Sequence, residues 1–176
     1  MTFGGTVRPA EERDLAAVGG IYDHYVRSSH ATFDVEPMSA ERRRAWLDEH
    51  PGGRHPALVA EVEARVIGFA SSGRYRPRPA YDTSVETSVY IDPAFVGQGV
   101  GRALYTVLFE ALEGEDVHRA FAGIGLPNDA SIALHERFGF RRVAHFSEQG
   151  RKFGRYWDVD WYERPFGEPA GLTPPA

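Results

Sequence analysis

The stretch Val89-Tyr90-Ile91-Asp92-Pro93-Ala94-Phe95-Val96-Gly97-Gln98-Gly99-Val100-Gly101-Arg102-Ala103-Leu104 runs from an alternating strand, through a glycine-rich turn, into a periodic helix. Past the turn, Val100, Ala103, Leu104, Val107, Leu108, Ala111 and Leu112 recur at helical spacing, which sets an apolar face and fixes the helix start. The first N-H groups of that helix point back into the turn. They carry the positive end of the helix dipole, and glycines at 97, 99 and 101 let backbone approach an anion with no side chain between. The turn therefore reads as a diphosphate cradle. It is not a dinucleotide fingerprint: counting from Gly99, Leu104 stands where the third glycine belongs, and Phe121 stands where a ribose-binding acid would follow. Nor is it a nucleoside-triphosphate loop, since no Gly-Lys-Ser or Gly-Lys-Thr follows. A diphosphate held by backbone alone is what remains.

Outward from the turn, the chain reads as a mixed α/β domain. A short strand at Thr6 to Ala10 precedes a helix from Asp14 with Leu15, Val18, Ile21, Tyr22, Tyr25 and Val26 on its apolar face. A loop reaches Pro37, and a short helix from Ser39 to His50 turns Trp46 and Leu47 inward with Arg42-Arg43-Arg44 on its wet face. Strands at Ala57 to Glu61 and Val66 to Arg74 pair across Glu63-Ala64, and a third runs from Ser84 to Ile91. Beyond the diphosphate helix come a strand at Ala120 to Ile124, a helix at Ala130 to Phe138, and strands near Arg141 to Ser147 and Tyr156 to Trp161. One domain over residues 1–166 is expected, followed by a disordered tail over 167–176. A single domain of 176 residues buries about 70% of its unfolded surface, enough for one core.

Composition narrows the function. A net charge of -5 argues against a general nucleic-acid surface. The absence of cysteine excludes disulfides, thiolate catalysis and thiolate metal sites, and agrees with a reducing cytoplasm. The seven histidines show no metal-ligand spacing, so no metal is expected. No apolar run approaches 18 residues and no signal-peptide pattern opens the chain, so no membrane partner is expected either.

With the diphosphate turn in place, the residues resemble the GNAT acyl-coenzyme A N-acyltransferases, whose loop reads roughly Arg/Gln-x-x-Gly-x-Gly/Ala at this junction. Gly125 to Phe140, with Asn128 near its start and Gly139-Phe140 at its end, is similar to the family's Asn-containing helix. Ala31 to Pro37, Arg76-Pro77-Arg78-Pro79-Ala80-Tyr81, Val85-Glu86 and Lys152 to Val159 resemble the phosphinothricin and methionine sulfoximine acetyltransferase branch. The similarity runs from about Val7 to Phe166. One departure stands out: aligning Gly99 and Gly101 with the family loop puts Val96 where Arg or Gln is usual, whereas placing Gln98 there puts Gly101 and Ala103 in the small-residue slots; the first register keeps the glycines at the helix start, and either leaves the backbone cradle intact.

The resemblance implies a GNAT fold, a mostly antiparallel mixed sheet splayed at the acetyl-coenzyme A site, and acetyl transfer to the α-amine of a small amino acid or analogue. Val89, Tyr90 and Ile91 are then assigned to the cofactor through their backbone, and Gly97, Gln98, Gly99, Val100, Gly101 and Arg102 to its diphosphate. Asn128 is assigned to the pantetheine arm, beside a plain helix-capping role. An ammonium must lose a proton before it attacks a thioester, and the branch uses a glutamate at the position of Glu86 for this; His135 stands where the family carries a second proton-handling group, its direction of transfer open. Phe33, Arg76, Arg78, Tyr81, Tyr90 and Val159 match the acceptor pocket, with the two arginines as a clamp for an anionic acceptor. The resemblance also implies a homodimer, to whose interface the aromatic strand Tyr156 to Tyr162 would contribute, although core packing accounts for those aromatics equally well. A GNAT enzyme for another amine, or a non-catalytic acyl-coenzyme A sensor, is the competing reading.

Overall fold

In the computed structural model, residues 3–167 are described, and they form eight strands and four α-helices in one sheet-centred body. The elements are β1 (Thr6–Pro9), α1 (Leu15–Ser28), α2 (Ala40–Asp48), β2 (Pro51–Gly52), β3 (His55–Val62), β4 (Arg65–Arg74), β5 (Ser84–Ile91), α3 (Val100–Glu113), β6 (Arg119–Gly125), α4 (Asp129–Arg137), β7 (Arg141–Lys152) and β8 (Arg155–Pro165). The expected tail lies, from residue 168 on, outside the described residues. Strand order is β1-β3-β4-β5-β6-β8-β7, with β2 on β3, and every pairing is antiparallel except β5 with β6. That exception follows from connectivity: a helix must cross over between parallel neighbours, and α3 is that helix.

The alternation in β5 sorts the sheet's two faces. Val85 and Thr87 are buried toward α3, where Leu104, Tyr105, Leu108, Phe109 and Leu112 form the main core with Leu58, Ile67, Ala120 and Tyr162. Tyr90, on the other face, packs with Tyr22, Tyr25 and Phe69 beneath α1. The buried stripe of α3 is wider than the aliphatic periodicity indicates, because Tyr105 and Phe109 join it while Ala111 is exposed.

Most expected elements stand where the sequence places them, but three differ. The run Arg42-Arg43-Arg44 is not simply a wet face: Arg43 donates to the buried Asp23 of α1 at 2.8 Å and packs over Gly19, where any Cβ would collide with the guanidinium. The strand pair β2–β3 begins earlier than the hydrophobic run, at Pro51. β7 and β8 extend well past Ser147 and Trp161, closing through a two-residue turn at Phe153-Gly154 with φ of 54° and 75°. Between Phe146 and Gly150 a bulge breaks the alternation, with Glu148 at φ 52° donating its N-H to Asp158 Oδ1, so a period of two could not be followed through it.

The extended hairpin delivers Lys152 into the protein. Its side chain is buried, and Nζ donates to the carbonyls of Thr32 at 2.6 Å, Ser29 at 2.7 Å and Tyr25 at 3.3 Å. These carbonyls belong to the last turn of α1 and the loop after it, where the helix dipole favours a cation. Burial lowers the amine's pKa, and Asp34 opposes the shift. Gly150 admits the loop from the other side, since a Cβ there would overlap the Phe33 ring. One ammonium thus orders an irregular segment. Replacing Lys152 with Met should strand these acceptors and cost roughly 2–4 kcal/mol in urea unfolding; a loss under about 0.5 kcal/mol would show that the three bonds contribute nothing net.

Candidate active site

The two central strands part where the site begins. β5 and β6 pair through Ser84↔Arg119, Val85↔Ala120 and Glu86↔Phe121, and there the pairing ends, although β4 follows β5 to Ile91 and β8 follows β6 to Gly125. The opening is a cleft of about 250 Å³, floored by Glu86 to Ile91 on one side and Ala122 to Gly125 on the other, and walled by Asn128, Ser131, Leu134 and His135 of the α4 segment. The edge of β5 that would have served β6 is left free to pair with an extended, amide-bearing chain.

At one end of this cleft lies the diphosphate turn. Asp92 caps a 3-10 turn by accepting from the Ala94 N-H, and Arg65 holds Asp92 at 2.6 Å. Gly97 and Gly99 adopt φ of 80° and 84°, and Gly99 is the N-cap of α3 with no side chain bonding to the helix start. The N-H groups of the first turn are therefore presented outward. A Cβ on Gly97 would meet nothing, so glycine serves the backbone angle there, whereas at Gly101 a Cβ would crowd Leu134 of α4. Gln98 spends its amide on the Ala94 carbonyl at 3.0 Å, so it contributes backbone and not side chain to the turn. Val96 is exposed and lines the cleft. These donors, the absence of a capping side chain and the free strand edge fit a diphosphate joined to a pantetheine arm.

Glu86 sits at the last paired position, on the face opposite α3. Burial raises its carboxyl pKa, and the Arg76 guanidinium partly offsets the rise. Arg76 lies over the Tyr75 ring at 4.5 Å, and Tyr75 stacks on Phe121 at 4.4 Å, so an aromatic wall stands beside the carboxylate. Arg78 and Tyr81 are exposed in the 3-10 turn that follows, Tyr81 edge-on to Tyr75 at 5.9 Å. The structure thus brings Glu86, Val89, Tyr90, Ile91, Asn128 and His135 to one cleft. Arg76, Arg78, Tyr81, Phe33 and Val159 do not line it; Phe33 rests on Gly150, and Val159 is buried between Gly125 and Phe146.

His135 is buried, and both its nitrogens are engaged. Nδ1 lies 2.7 Å from the Ser131 carbonyl, which can only accept, so Nδ1 carries the proton and Nε2 accepts from the Tyr105 hydroxyl at 2.9 Å. Burial lowers its pKa, against the Ser131 carbonyl, so the ring rests neutral. Asn128 caps α4, its Oδ1 accepting from the Ser131 N-H at 3.2 Å, which realises the capping role and leaves the residue on the cleft wall. Tyr105 was not legible as a site residue. It falls in the core stripe of α3, thirty residues from the histidine it serves, and only the packing of α3 on α4 joins them.

Comparison with known proteins agrees with this geometry. The sequence model of the acetyltransferase (GNAT) family matches residues 18–140. A phosphinothricin N-acetyltransferase of Streptomyces coelicolor is 53% identical over 90% of this chain and 95% of its own. An L-methionine sulfoximine/L-methionine sulfone acetyltransferase of Salmonella typhimurium is 35% identical over 94% of this chain and 96% of its own. Among solved structures, a GNAT superfamily phosphinothricin acetyltransferase from Sinorhizobium meliloti in complex with acetyl-coenzyme A has a TM-score of 0.91 at 33% identity, covering 99% of this chain and 94% of that one. With a family match over most of its length, and relatives this similar from end to end, the chain belongs to the GNAT acetyltransferase family.

Proposed function

We propose that this chain acetylates the α-amine of a small amino acid or amino-acid analogue, of the phosphinothricin or methionine sulfoximine type, with acetyl-coenzyme A as donor. The observation that carries it is a burial-raised carboxylate, Glu86, at the point where β5 and β6 part, with an uncapped helix start along the same cleft. The names and end-to-end coverage of the relatives support the acceptor class.

Acetyl-coenzyme A supplies the acetyl group as a thioester. Its diphosphate would lie on the backbone of Gly97, Gln98, Gly99, Val100, Gly101 and Arg102, and its pantetheine arm along Val89, Tyr90 and Ile91, beside Asn128. Glu86 takes a proton from the acceptor's ammonium, so that the nitrogen lone pair is free to attack. Free backbone N-H groups of β5 offer preorganised donors to the oxygen on which negative charge grows. His135, neutral and accepting at Nε2, holds the Tyr105 hydroxyl and the α4 wall in place. Arg76, already over Tyr75, supplies positive charge for an anionic acceptor, with Arg78 and Tyr81 exposed beyond it and Tyr90 on the cleft floor, while Phe33 and Val159 support the surrounding hairpin and loop. Without cysteine there is no thiolate to carry an acyl-enzyme, in keeping with direct transfer in a ternary complex. We expect two copies to associate through the β7–β8 hairpin, where Val143, Phe146, Phe153 and Tyr156 are exposed. A cytoplasmic location fits a chain free of cysteine.

The decisive experiment is thiol release from acetyl-coenzyme A with phosphinothricin, methionine sulfoximine, methionine sulfone and the twenty amino acids offered singly. Turnover on one of them supports the reading, and acetyl-coenzyme A binding with no turnover on any overturns it. Glu86→Gln should lower kcat by about 100-fold or more with acetyl-coenzyme A binding unchanged. Because the base works as carboxylate, kcat/KM should fall as pH drops through the raised Glu86 pKa, and Arg76→Ala, which removes the offsetting cation, should move that limb to higher pH; an unmoved limb would dissociate it from Glu86.

A further inference from the structure

Glu86 has a neighbour that neither the sequence nor the family assignment singles out. In the β4–β5 register, Gly73 stands directly across from Glu86. Residues so paired share a face, with Cβ positions about 5 Å apart. Above Gly73 sits His50, just past the end of α2, its Nε2 3.5 Å from the point that a Cβ on Gly73 would occupy. Its other nitrogen is committed: Nδ1 lies 2.6 Å from the Trp46 carbonyl, which accepts only, so the Nδ1 proton is spent there and Nε2 carries a lone pair. Trp46 holds the ring from one side at 5.0 Å between centroids, and packs in turn on Phe69 of β4. The imidazole is thus fixed over the one position beside Glu86 that has no side chain. No direct hydrogen bond joins Nε2 to the Glu86 carboxylate, so a proton passing between them would cross the space above Gly73 through bridging water.

We infer that His50 is a positioning residue of the acceptor site, taking through the space above Gly73 the proton that Glu86 removes from the acceptor ammonium. This rests on Glu86 as the base of the proposed function. In the first step an N-H bond of the ammonium breaks and a Glu86 O-H bond forms. In the second, that O-H bond breaks, its electron pair returns to the carboxylate, and an Nε2-H bond forms on His50; the imidazolium then loses a proton to solvent. The ring suits this, since burial lowers its pKa, His55 adding to the lowering and the Trp46 carbonyl and Glu49 opposing it, which favours the neutral form. Arg76 faces Glu86 from the loop beyond β4, and Arg54 and Arg74 act on His55, so these cations complete the charges around the pair.

Two measurements test the relay. The first needs no acceptor: an NMR titration of the His50 ring in wild type and Glu86→Gln, with His55 followed as control. Loss of a nearby negative charge should lower the His50 pKa, and an unchanged value overturns the relay. The second uses whichever acceptor the wild type acetylates. His50→Ala should lower kcat about 10-fold or more with the KM for acetyl-coenzyme A unchanged, and added imidazole should restore part of the rate. A mere packing role would not respond to imidazole. Gly73→Ala serves as a second variant: its methyl meets His50 at ordinary contact distance, so the fold is kept while the gap is filled, and kcat should fall without imidazole rescue. Wild-type kcat in both variants overturns the relay and leaves the proposed function standing; a wild type that acetylates no amine, while the titration shows the coupling, overturns the function and leaves the His50–Glu86 pair.

Discussion

Everything functional in this fold depends on the loss of pairing between β5 and β6 after Glu86 and Phe121. Parallel neighbours normally continue as far as their strands do, because an unpaired buried backbone group costs free energy comparable to a hydrogen bond. Here each strand remains paired on its outer side, β5 with β4 and β6 with β8, so the sheet stays whole while a wedge opens at its centre. The α3 crossover places a helix start near the open end, and α4 closes the wedge from the β6 side. Leu134 against Gly101 sets how close α3 and α4 approach. A larger residue at 101 would push them apart and with them the wall that bears His135.

The opposite wall is made by the irregular segment after α1, and it needs side chains to hold it. Lys152 ties its carbonyls, and Tyr22 bonds both Thr32 and Asp34 within it. His30 stacks on Trp157 at 3.9 Å and reaches the Pro127 carbonyl at 3.0 Å, so the segment bridges the β7–β8 hairpin to the turn before α4. These contacts span well over a hundred residues of sequence between Thr32 and Lys152. They convert a loop without regular hydrogen bonds into one boundary of the cleft, with Tyr25 and Ala31 on its inner side.

This division explains what could be read from sequence. The β5-turn-α3 unit was legible because its chemistry is backbone chemistry: alternation, three glycines and a helical stripe are local signals, and Ser84–Ile91 and Val100–Glu113 form where those signals place them. Glu86 and His135 are legible only through motif resemblance, and both line one cleft. Tyr105, Lys152 and His50 carry no such local signal. Tyr105 looks like any aromatic in a core stripe, Lys152 lies beyond a bulge that hides the strand bearing it, and His50 owes its place to the cross-strand neighbour Gly73. A side chain whose role depends on tertiary proximity leaves no periodic trace. The arginines show the converse: the Arg76 and Arg78 pattern is conspicuous, yet only Arg76 is placed to act on Glu86.

Desolvation gives the groups around the cleft a common direction. It raises the pKa of Glu86 and lowers those of His50, His135 and Lys152, in each case favouring the neutral form. An acceptor ammonium brought beside Glu86 enters the same environment, so burial works on it as on Lys152 and makes its proton easier to remove. In the proposed reaction, the burial that weakens the ammonium's hold also strengthens Glu86 as a base. Both shifts narrow the gap between donor and acceptor pKa, which brings proton transfer within reach of a single hydrogen bond or water. Arg76 sets the limit, because its charge makes Glu86 a weaker base. Its stacking on Tyr75 keeps that cation beside the carboxylate without a direct ion pair, which preserves the basicity that the splayed sheet creates.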